Sequence, residues 1–418
     1  MNYNPDKEFA FKLDSEGPIS AYRSRFYIPK QKNGEDVIYF AGNSLGLQPK
    51  TVRDYIEQEI KDWETLAVDA HMHAKHPWLP YHEYLTDETA KIVGAKPIEV
   101  VNMNALTVNL HLMLVSFYRP TPERHKILIE GKAFPSDHYA FQSQIKFHGY
   151  NAETSLVEIN PREGESIIRT EDIEEFIDRE GDSIALILFS GVNYYSGQAF
   201  EMERIVKAGH KKGCIVGFDH AHAAGNLVMN LHDWGVDFAV WCSYKYLNGG
   251  PGAVAGCFVH EKHITDNTIP KYLGWWGQDK ETRFLMEHKF KPIPTVESWQ
   301  LSNPPIFQLA SLRASLDIFK EAGMEALREK SEKLTGYMEY LIEQKCKGSI
   351  EIITPKDKNQ RGCQLSLRAK HDGKKLHQKL IDNGVVCDWR EPDVIRVAPV
   401  PLYNTFEDVF NFVEILLK

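Results

Sequence analysis

The stretch FAVWCSYKYLNGGPGAVAG (residues 238–256) passes from an apolar, aromatic-rich run into a glycine-rich turn, with Lys245 at the junction. Lysine is seldom enclosed without a partner, yet its neighbours here have the composition of an interior. The run itself, DFAVWCS (237–243), is one of four. KILIEG (126–131), SIALILFS (183–190) and CIVGFD (214–219) share its nearly continuous apolar character. Strands buried on both faces read this way, as in a parallel sheet covered by helices. Between the last two of these, MERIVKAGHKKG (202–213) is amphipathic and ends at a glycine, as a crossover helix should. Beyond residue 300 the texture changes. PPIFQLASLRASLDIFKEAG (304–323) and MEALREKSEKLTGYMEYLIEQK (324–345) read as long amphipathic helices, followed by the strand candidates SIEIIT, CQLSLRA and VIRVAPV. The expected fold class is α/β, a large domain with a mostly parallel sheet plus a smaller α+β domain.

Composition narrows the function. The 418 residues are 43% hydrophobic and 26% charged, and 49 basic against 58 acidic residues give −9 at pH 7. That balance points away from nucleic acid and anionic membranes as partners. No apolar run approaches the roughly 18 residues needed to span a bilayer, and MNYNPDKEFAFKLD at the N-terminus lacks a hydrophobic signal core. Six cysteines, at 214, 242, 257, 346, 363 and 387, form no CxxC pair, which argues against a zinc ribbon or disulfide scaffold. The expectation is a cytoplasmic protein.

In open α/β sheets ligands bind outside the carboxyl ends of the strands. Ser190, Asp219 and Lys245 fall there. Taken singly, a strand-end aspartate is a turn or cap residue and a lysine is solvated. Together, with a glycine-rich exit, they suit pyridoxal 5'-phosphate (PLP), which needs a lysine amine for its aldehyde and a carboxylate against its pyridine nitrogen. A phosphate favours the N–H groups of a helix start, and NMNALTVNLHLMLVSF (102–117) offers a polar entry into an apolar helix. The histidines of HMHAKH (71–76) and DHAH (219–222) invite a metal reading. His220 and His222 on a strand would share a face, but neither spacing matches a zinc motif, and no metal is expected. In HDWGVDF (232–238), Asp233 and Asp237 are expected to cap and terminate a crossover helix.

FDHAHAAGNLVMNLHDWGVDFAVWCSYKYLNGGPGAVAG (218–256) resembles the kynureninase family. So do, in order, YFAGNSLGLQPK (39–50), NALTVNLHLML (104–114), AFPSDHYA (133–140), LFSGVNYYSGQ (188–198), GWWG (274–277), SNPP (302–305) and RVAPVPLYNTF (396–406). The resemblance implies the fold-type-I fold of PLP-dependent transferases, with a large PLP-binding domain at 43–304 and a small α+β domain built from 1–42 and 305–418. It implies that Lys245 forms the Schiff base with PLP, that Asp219 meets the pyridine nitrogen, and that Tyr244 contacts the phosphate and assists proton transfer. Leu106 and Thr107 match the phosphate-binding turn. Phe134, followed by Pro135 and Ser136, would stack on the ring, and Asp137 would lie against its substituents. Ser190 and His222 match further cofactor contacts. Trp275 and Asn303 correspond to residues contributed by a second subunit, which implies a homodimer with the site completed across its interface. Ser44, His71, Asn303 and Arg396 would line the substrate side, Arg396 holding the α-carboxylate.

The reaction implied is hydrolysis of the Cβ–Cγ bond of L-kynurenine or 3-hydroxy-L-kynurenine, giving the matching anthranilate and L-alanine, in tryptophan degradation or NAD biosynthesis. His71 and Asn303 favour the hydroxylated substrate. The alternatives are a cysteine desulfurase-like or aminotransferase-like enzyme of the same fold, and then a non-catalytic relative. A desulfurase needs an activated cysteine on a mobile loop, and none of Cys346, Cys363 and Cys387 reads as one.

Overall fold

The four apolar runs become neighbouring strands of one seven-stranded sheet. In this computed structural model, which describes residues 2–346 and 348–417, the strands are β1 (Val100–Asn102), β2 (Lys126–Glu130), β3 (Leu156–Ile159), β4 (Ile184–Ser190), β5 (Ile215–Asp219), β6 (Phe238–Trp241) and β7 (Gly256–Val259). Their order is β1-β7-β6-β5-β4-β2-β3. Every pair from β2 to β6 is parallel. Only β7 runs against its neighbours, pairing antiparallel with β6 and β1. It follows the glycine-rich exit, and Gly256 makes room for the β6 indole: a Cβ there would lie 2.1 Å from Trp241 Cε2.

The continuous apolar runs follow from burial on both faces. Successive side chains of a strand point to opposite sides. In β4, Ile187 and Phe189 join a core with Val216, Phe218 and Trp241, while Leu186 and Leu188 join a second with Ile127, Phe238 and Val240. Each such side chain contributes about 1.5–3 kcal/mol by leaving water. The crossover helix Met202–Lys211 covers the first face with Met202, Ile205, Val206 and Gly209, one stripe at helical spacing, and stops before Gly213 at φ 70°. Helices Leu106–Phe117 and Pro135–Phe147 cover the second.

The segment between β5 and β6 departs from expectation. Residues 220–237 form turns and no helix, so Asp233 and Asp237 cap none there, and His220 and His222 lie past the end of β5. Positive φ at Gly225 and Gly235 keeps this connection in turns. Asp237 is instead a buried node. Its Oδ2 accepts from His210 Nε2 at 2.8 Å and from Val216 N at 2.7 Å, and its Oδ1 from His263 Nε2 and Lys262 Nζ, both at 2.7 Å. Burial alone would raise this carboxyl, but the hydrogen bonds from His210 and His263 with the Lys262 charge hold it far below its usual range. A depressed carboxylate stabilises the fold above its unfolded pKa, about 3.9, and that contribution fades as pH falls below it. Asp237→Ala is expected to cost about 3–5 kcal/mol at pH 7, as for a broken buried ion pair, and progressively less below about pH 4. Urea midpoints across this range check both size and sign.

The C-terminal strands form a four-stranded antiparallel sheet in the order Asp388–Arg390, Val394–Val397, Leu365–Ala369, Ile350–Ile352. Helices Met324–Lys345 and Phe406–Leu417 pack on it, together with Ala10, Ile38 and Phe40 from the N-terminal segment. Ile38–Tyr39 also pairs with Val385–Val386. The helix Phe406–Leu417 takes its N-terminal acceptor from the far end of the chain: Asp14 accepts from Phe406 N at 2.9 Å and Glu407 N at 3.0 Å. Helix Ile306–Ala322 joins the core of the larger sheet. Among the described residues no helix is long and apolar enough to cross a membrane.

Candidate active site

Strands β2, β4, β5 and β6 end on one edge of the large sheet. From β4 the chain winds through β5 to β6, whereas β2 is followed by β3 on the other side. The reversal lies between β4 and β2, the place where open α/β sheets leave a ligand crevice. A cavity occupies it, walled by Ser190, Asp219 and His222, by Tyr244 and Lys245 beyond β6, and by Asp137 beyond β2. Leu106, Thr107, Phe134 and Ser136, from the starts of two helices, complete it.

Neither helix start has a side-chain cap on its first N–H groups, which leaves these donors to an anion. The Thr107 and Ser136 hydroxyls, 3.0 Å apart, stand between the two helices. Phe134 keeps 48% of its surface exposed, edge-on to Tyr194 with ring centres 5.3 Å apart. Pro135 opens the second helix, where its missing N–H costs nothing.

Lys245 Nζ lies 3.1 Å from His222 Nε2. Burial, then the charges of Lys245, Arg396 and Arg390, push the His222 imidazole well below its ordinary range, so it is neutral and accepts from the ammonium. The GNSLG loop fixes the lysine backbone from behind. Gly46 N donates to Tyr244 O at 2.8 Å, and a Cβ on Gly46 would sit 2.3 Å from Lys245 O. Only glycine fits there.

Three carboxyls are buried here: Asp219, Asp137 and Glu130. Glu130 closes β2, as Asp219 closes β5, and it takes the Ser190 hydroxyl at 2.5 Å and the Ser190 N–H at 3.2 Å. Burial raises the Glu130 carboxyl to about 7 despite these bonds. Burial also raises Asp219, against the pull of the Ala221 N–H and Lys245. Asp137 stands well above its ordinary value, through burial and then the charges of Asp219 and Glu130. Three buried carboxyls held above their usual range beside one lysine mark a cavity that would accept a further cation, and among the described residues Asp137 Oδ1 and His222 Nδ1 have no partner. A ring with a cationic nitrogen, an aldehyde and a phosphate supplies that cation, the carbonyl for Lys245 and the anion for the helix starts. The residues present fit PLP.

The substrate-side residues are arranged differently. Arg396 is buried, and its Nε donates to Asp388 Oδ1 at 2.6 Å while Ser44 Oγ donates to Asp388 Oδ2 at 2.6 Å. His71 packs edge-on to Trp78 with Nδ1 2.9 Å from Val68 O. Trp275, 43% exposed, donates its indole N–H to Arg283 O at 3.1 Å, and Asn303 is exposed. None of Ser44, His71, Trp275, Asn303 and Arg396 lines this cavity of their own chain, though Arg396 reaches its wall through Tyr194 O. Sequence reading passed over Glu130 and Asp388. Glu130 carries the same signal as Asp219, an acid closing an apolar strand. Asp388 had only its place in a short strand.

Comparison with known proteins adds the family. A sequence model of the kynureninase C-terminal domain matches residues 327–416. The kynureninase of Koribacter versatilis is 58% identical over 99% of this chain and 97% of its own length, and that of Mus musculus is 52% identical over 100% and 94%. Among solved structures, a variant of C-DES with glycine covalently linked to its PLP cofactor aligns with TM-score 0.76 at 15% identity, covering 91% of this chain and 96% of that one. The fold is that of the fold-type-I PLP enzymes. With identities this high over nearly the whole length, the chain belongs to the kynureninase family.

Proposed function

We propose that this chain hydrolyses the Cβ–Cγ bond of L-kynurenine, 3-hydroxy-L-kynurenine or both, with PLP as cofactor, releasing the matching anthranilate and L-alanine. The observation that carries the reading is the meeting of Lys245, Asp219 and His222 in one cavity at the sheet's reversal point. Lys245 is the residue to hold the cofactor's aldehyde carbon, Asp219 its ring nitrogen, Phe134 its ring face, and Leu106, Thr107 and Ser136 its phosphate. When bound, PLP supplies an electron sink for negative charge developing on the substrate.

The chain's own groups then move protons. The Lys245 amine, once released by the substrate amine, takes the Cα proton, and His222 Nε2 fixes the direction in which that amine points. Burial pushes the Tyr244 phenol up, so it stays protonated and able to donate to carbon or oxygen. Water supplies the oxygen that turns the side-chain ketone carbon into the anthranilate carboxylate, Cβ receives a proton to become the alanine methyl, and a proton returns to Cα before L-alanine leaves. Arg396 anchors the α-carboxylate as a planar donor. The six cysteines are buried, and burial pushes each thiol up. None has the exposed, acidified character a desulfurase requires, so that alternative is not favoured.

A homodimer is part of the reading. Trp275 is exposed amid Tyr272, Leu273, Phe284 and Leu285, all exposed and apolar, and such patches mark association surfaces. Trp275 and Asn303 would reach the partner's cavity. The two-unit division at 43–304, with 1–42 and 305–418 forming the smaller unit, draws support from the N-terminal residues packed on the C-terminal sheet, whereas helix Ile306–Ala322 packs with the larger core. Free cysteines suit a cytoplasmic place, and the reaction would serve tryptophan degradation or NAD biosynthesis.

The first test is an absorption spectrum of the PLP-loaded protein before and after borohydride, followed by each substrate. A visible band that borohydride bleaches, and alanine released with a fluorescent anthranilate, are expected. Failure to take up PLP, or turnover without alanine, would overturn the reading. Substrate preference is a second check. Replacing His71 with phenylalanine and Asn303 with alanine is expected to shift the kcat/KM ratio toward L-kynurenine by about 10-fold or more, the scale of one polar contact.

A further inference from the structure

Arg396 and Asp388 face each other across two antiparallel strands, in direct register. The contact is a fork: Arg396 Nε donates to Asp388 Oδ1 at 2.6 Å, and Nη2 donates to Oδ2. Arg396 Nη1 donates to Tyr194 O at 2.9 Å, on a residue that also lines the cofactor cavity. A guanidinium has five N–H groups in one plane. Asp388 takes the Nε side and Tyr194 one N–H of Nη1. The edge turned outward from Asp388, between Nη1 and Nη2, carries one further contact among the described residues, 3.3 Å from Nη2 to Ser44 Oγ, on a side chain that is buried as a whole. Ser44 in turn donates to Asp388 Oδ2 at 2.6 Å, so the same carboxylate fixes both groups.

We propose that Asp388 is a positioning residue for substrate recognition, holding the plane of Arg396 and the Ser44 hydroxyl so that the outward guanidinium edge meets the α-carboxylate of an amino-acid substrate. The inference rests on the reading of Arg396 as the carboxylate anchor. Charge supports it. Arg390 Nη2 lies 3.4 Å from Asp388 Oδ2, so two arginines share one aspartate and one positive charge is left over, the match for a single carboxylate. Burial favours the neutral acid, but the Arg396 hydrogen bonds and charge hold Asp388 below the usual carboxylate range, so it remains an acceptor. A rigid fork already oriented loses less freedom when the ligand arrives. Three separate parts of the chain meet at this arginine–aspartate pair: the GNSLG loop through Ser44 on Asp388, the segment after β4 through Tyr194 O on Arg396, and the C-terminal sheet that carries both.

The test uses PLP-loaded enzyme and L-alanine, which carries the α-carboxylate without the aryl ketone. Its binding is followed by the change in cofactor absorbance, and KM and kcat are measured alongside. Asp388→Asn keeps the shape and removes the charge. Its alanine Kd and substrate KM are expected to rise about 10–100-fold, the scale of a misplaced binding group, with kcat within a few-fold of the parent. Asp388→Glu, with a carboxylate one methylene further out, should recover part of the loss. Unchanged alanine affinity and KM in Asp388→Asn would overturn the proposal, whatever happens to melting temperature. Arg396→Lys separates the two layers: if it too leaves alanine binding intact, the anchor reading of Arg396 fails, whereas alanine binding lost only there sinks the role of Asp388 alone. Should Asp388→Asn not load cofactor, Ser44→Ala takes its place, with a rise in alanine Kd expected and an unchanged Kd counting against the proposal.

Discussion

Lys245→Ala is expected to leave the protein folded and able to retain PLP, yet to abolish turnover. The side chain makes a single hydrogen bond among the described residues, to His222 across 3.1 Å, and Asp219 and Asp137 near it are already held above their ordinary range, so its loss leaves the fold standing. The helix starts at Leu106 and Pro135, with Asp219, still offer the phosphate and ring nitrogen their partners. Both the covalent tether and the group that takes the Cα proton disappear together. General-base loss alone costs about 10²–10⁴-fold, and the tether acts with it as one unit, so a fall of about 10⁴-fold or more is expected. Borohydride followed by intact-mass measurement checks the chemistry directly. The parent should gain a cofactor adduct at Lys245, and the variant none. An adduct surviving in the variant would place the tether on another lysine.

Asp219→Asn should separate function from stability in the opposite sense. It keeps the acceptor for the Ala221 N–H, 2.7 Å away, and deletes a buried charge packed against Asp137 and Glu130. Burial holds the Asp219 carboxyl above its ordinary value, so its charge is carried at a cost to the fold at neutral pH, and removing it is expected to raise the thermal transition of the cofactor-free protein. The same change removes the partner of the ring nitrogen. PLP affinity should fall, and kcat/KM should drop about 10²–10³-fold, the scale of one lost preorganised electrostatic contact. Thermal melts without cofactor and a PLP titration test the two halves. A variant less stable and equally active would show Asp219 to be structural.

What could be read in advance was set by burial. Strands covered on both faces must be apolar throughout, so β2, β4, β5 and β6 announce themselves, and their polar ends mark Ser190, Asp219 and Lys245. The two strands beyond β6 were illegible because β1 is three residues long and β7 opens on glycine, which signals a turn until Trp241 is seen to need the space. The connection after β5 misled because Asp233 and Asp237 imitate caps, whereas two left-handed glycines keep the segment turning and Asp237 points into the fold. Asp388 and Arg396 are adjacent only through strand register, which no local pattern discloses. His71, Trp275 and Asn303 lie outside the cavity of their own chain, and their motifs say nothing about that distance.

The cap that Asp14 provides for Phe406, 392 positions along the chain, has a consequence for synthesis. The acceptor is made first and its donors last, so Asp14 stands without them until the final helix leaves the ribosome. At the usual 5–20 residues per second, the N-terminal helix Lys7–Glu16 waits on the order of 20–80 s for its partner. Its apolar side chains, Phe9 and Leu13, which end packed against the C-terminal lobe, are exposed for that interval. Nascent chains stalled before residue 406 should therefore bind chaperone through their first residues, and let go once the last helix emerges.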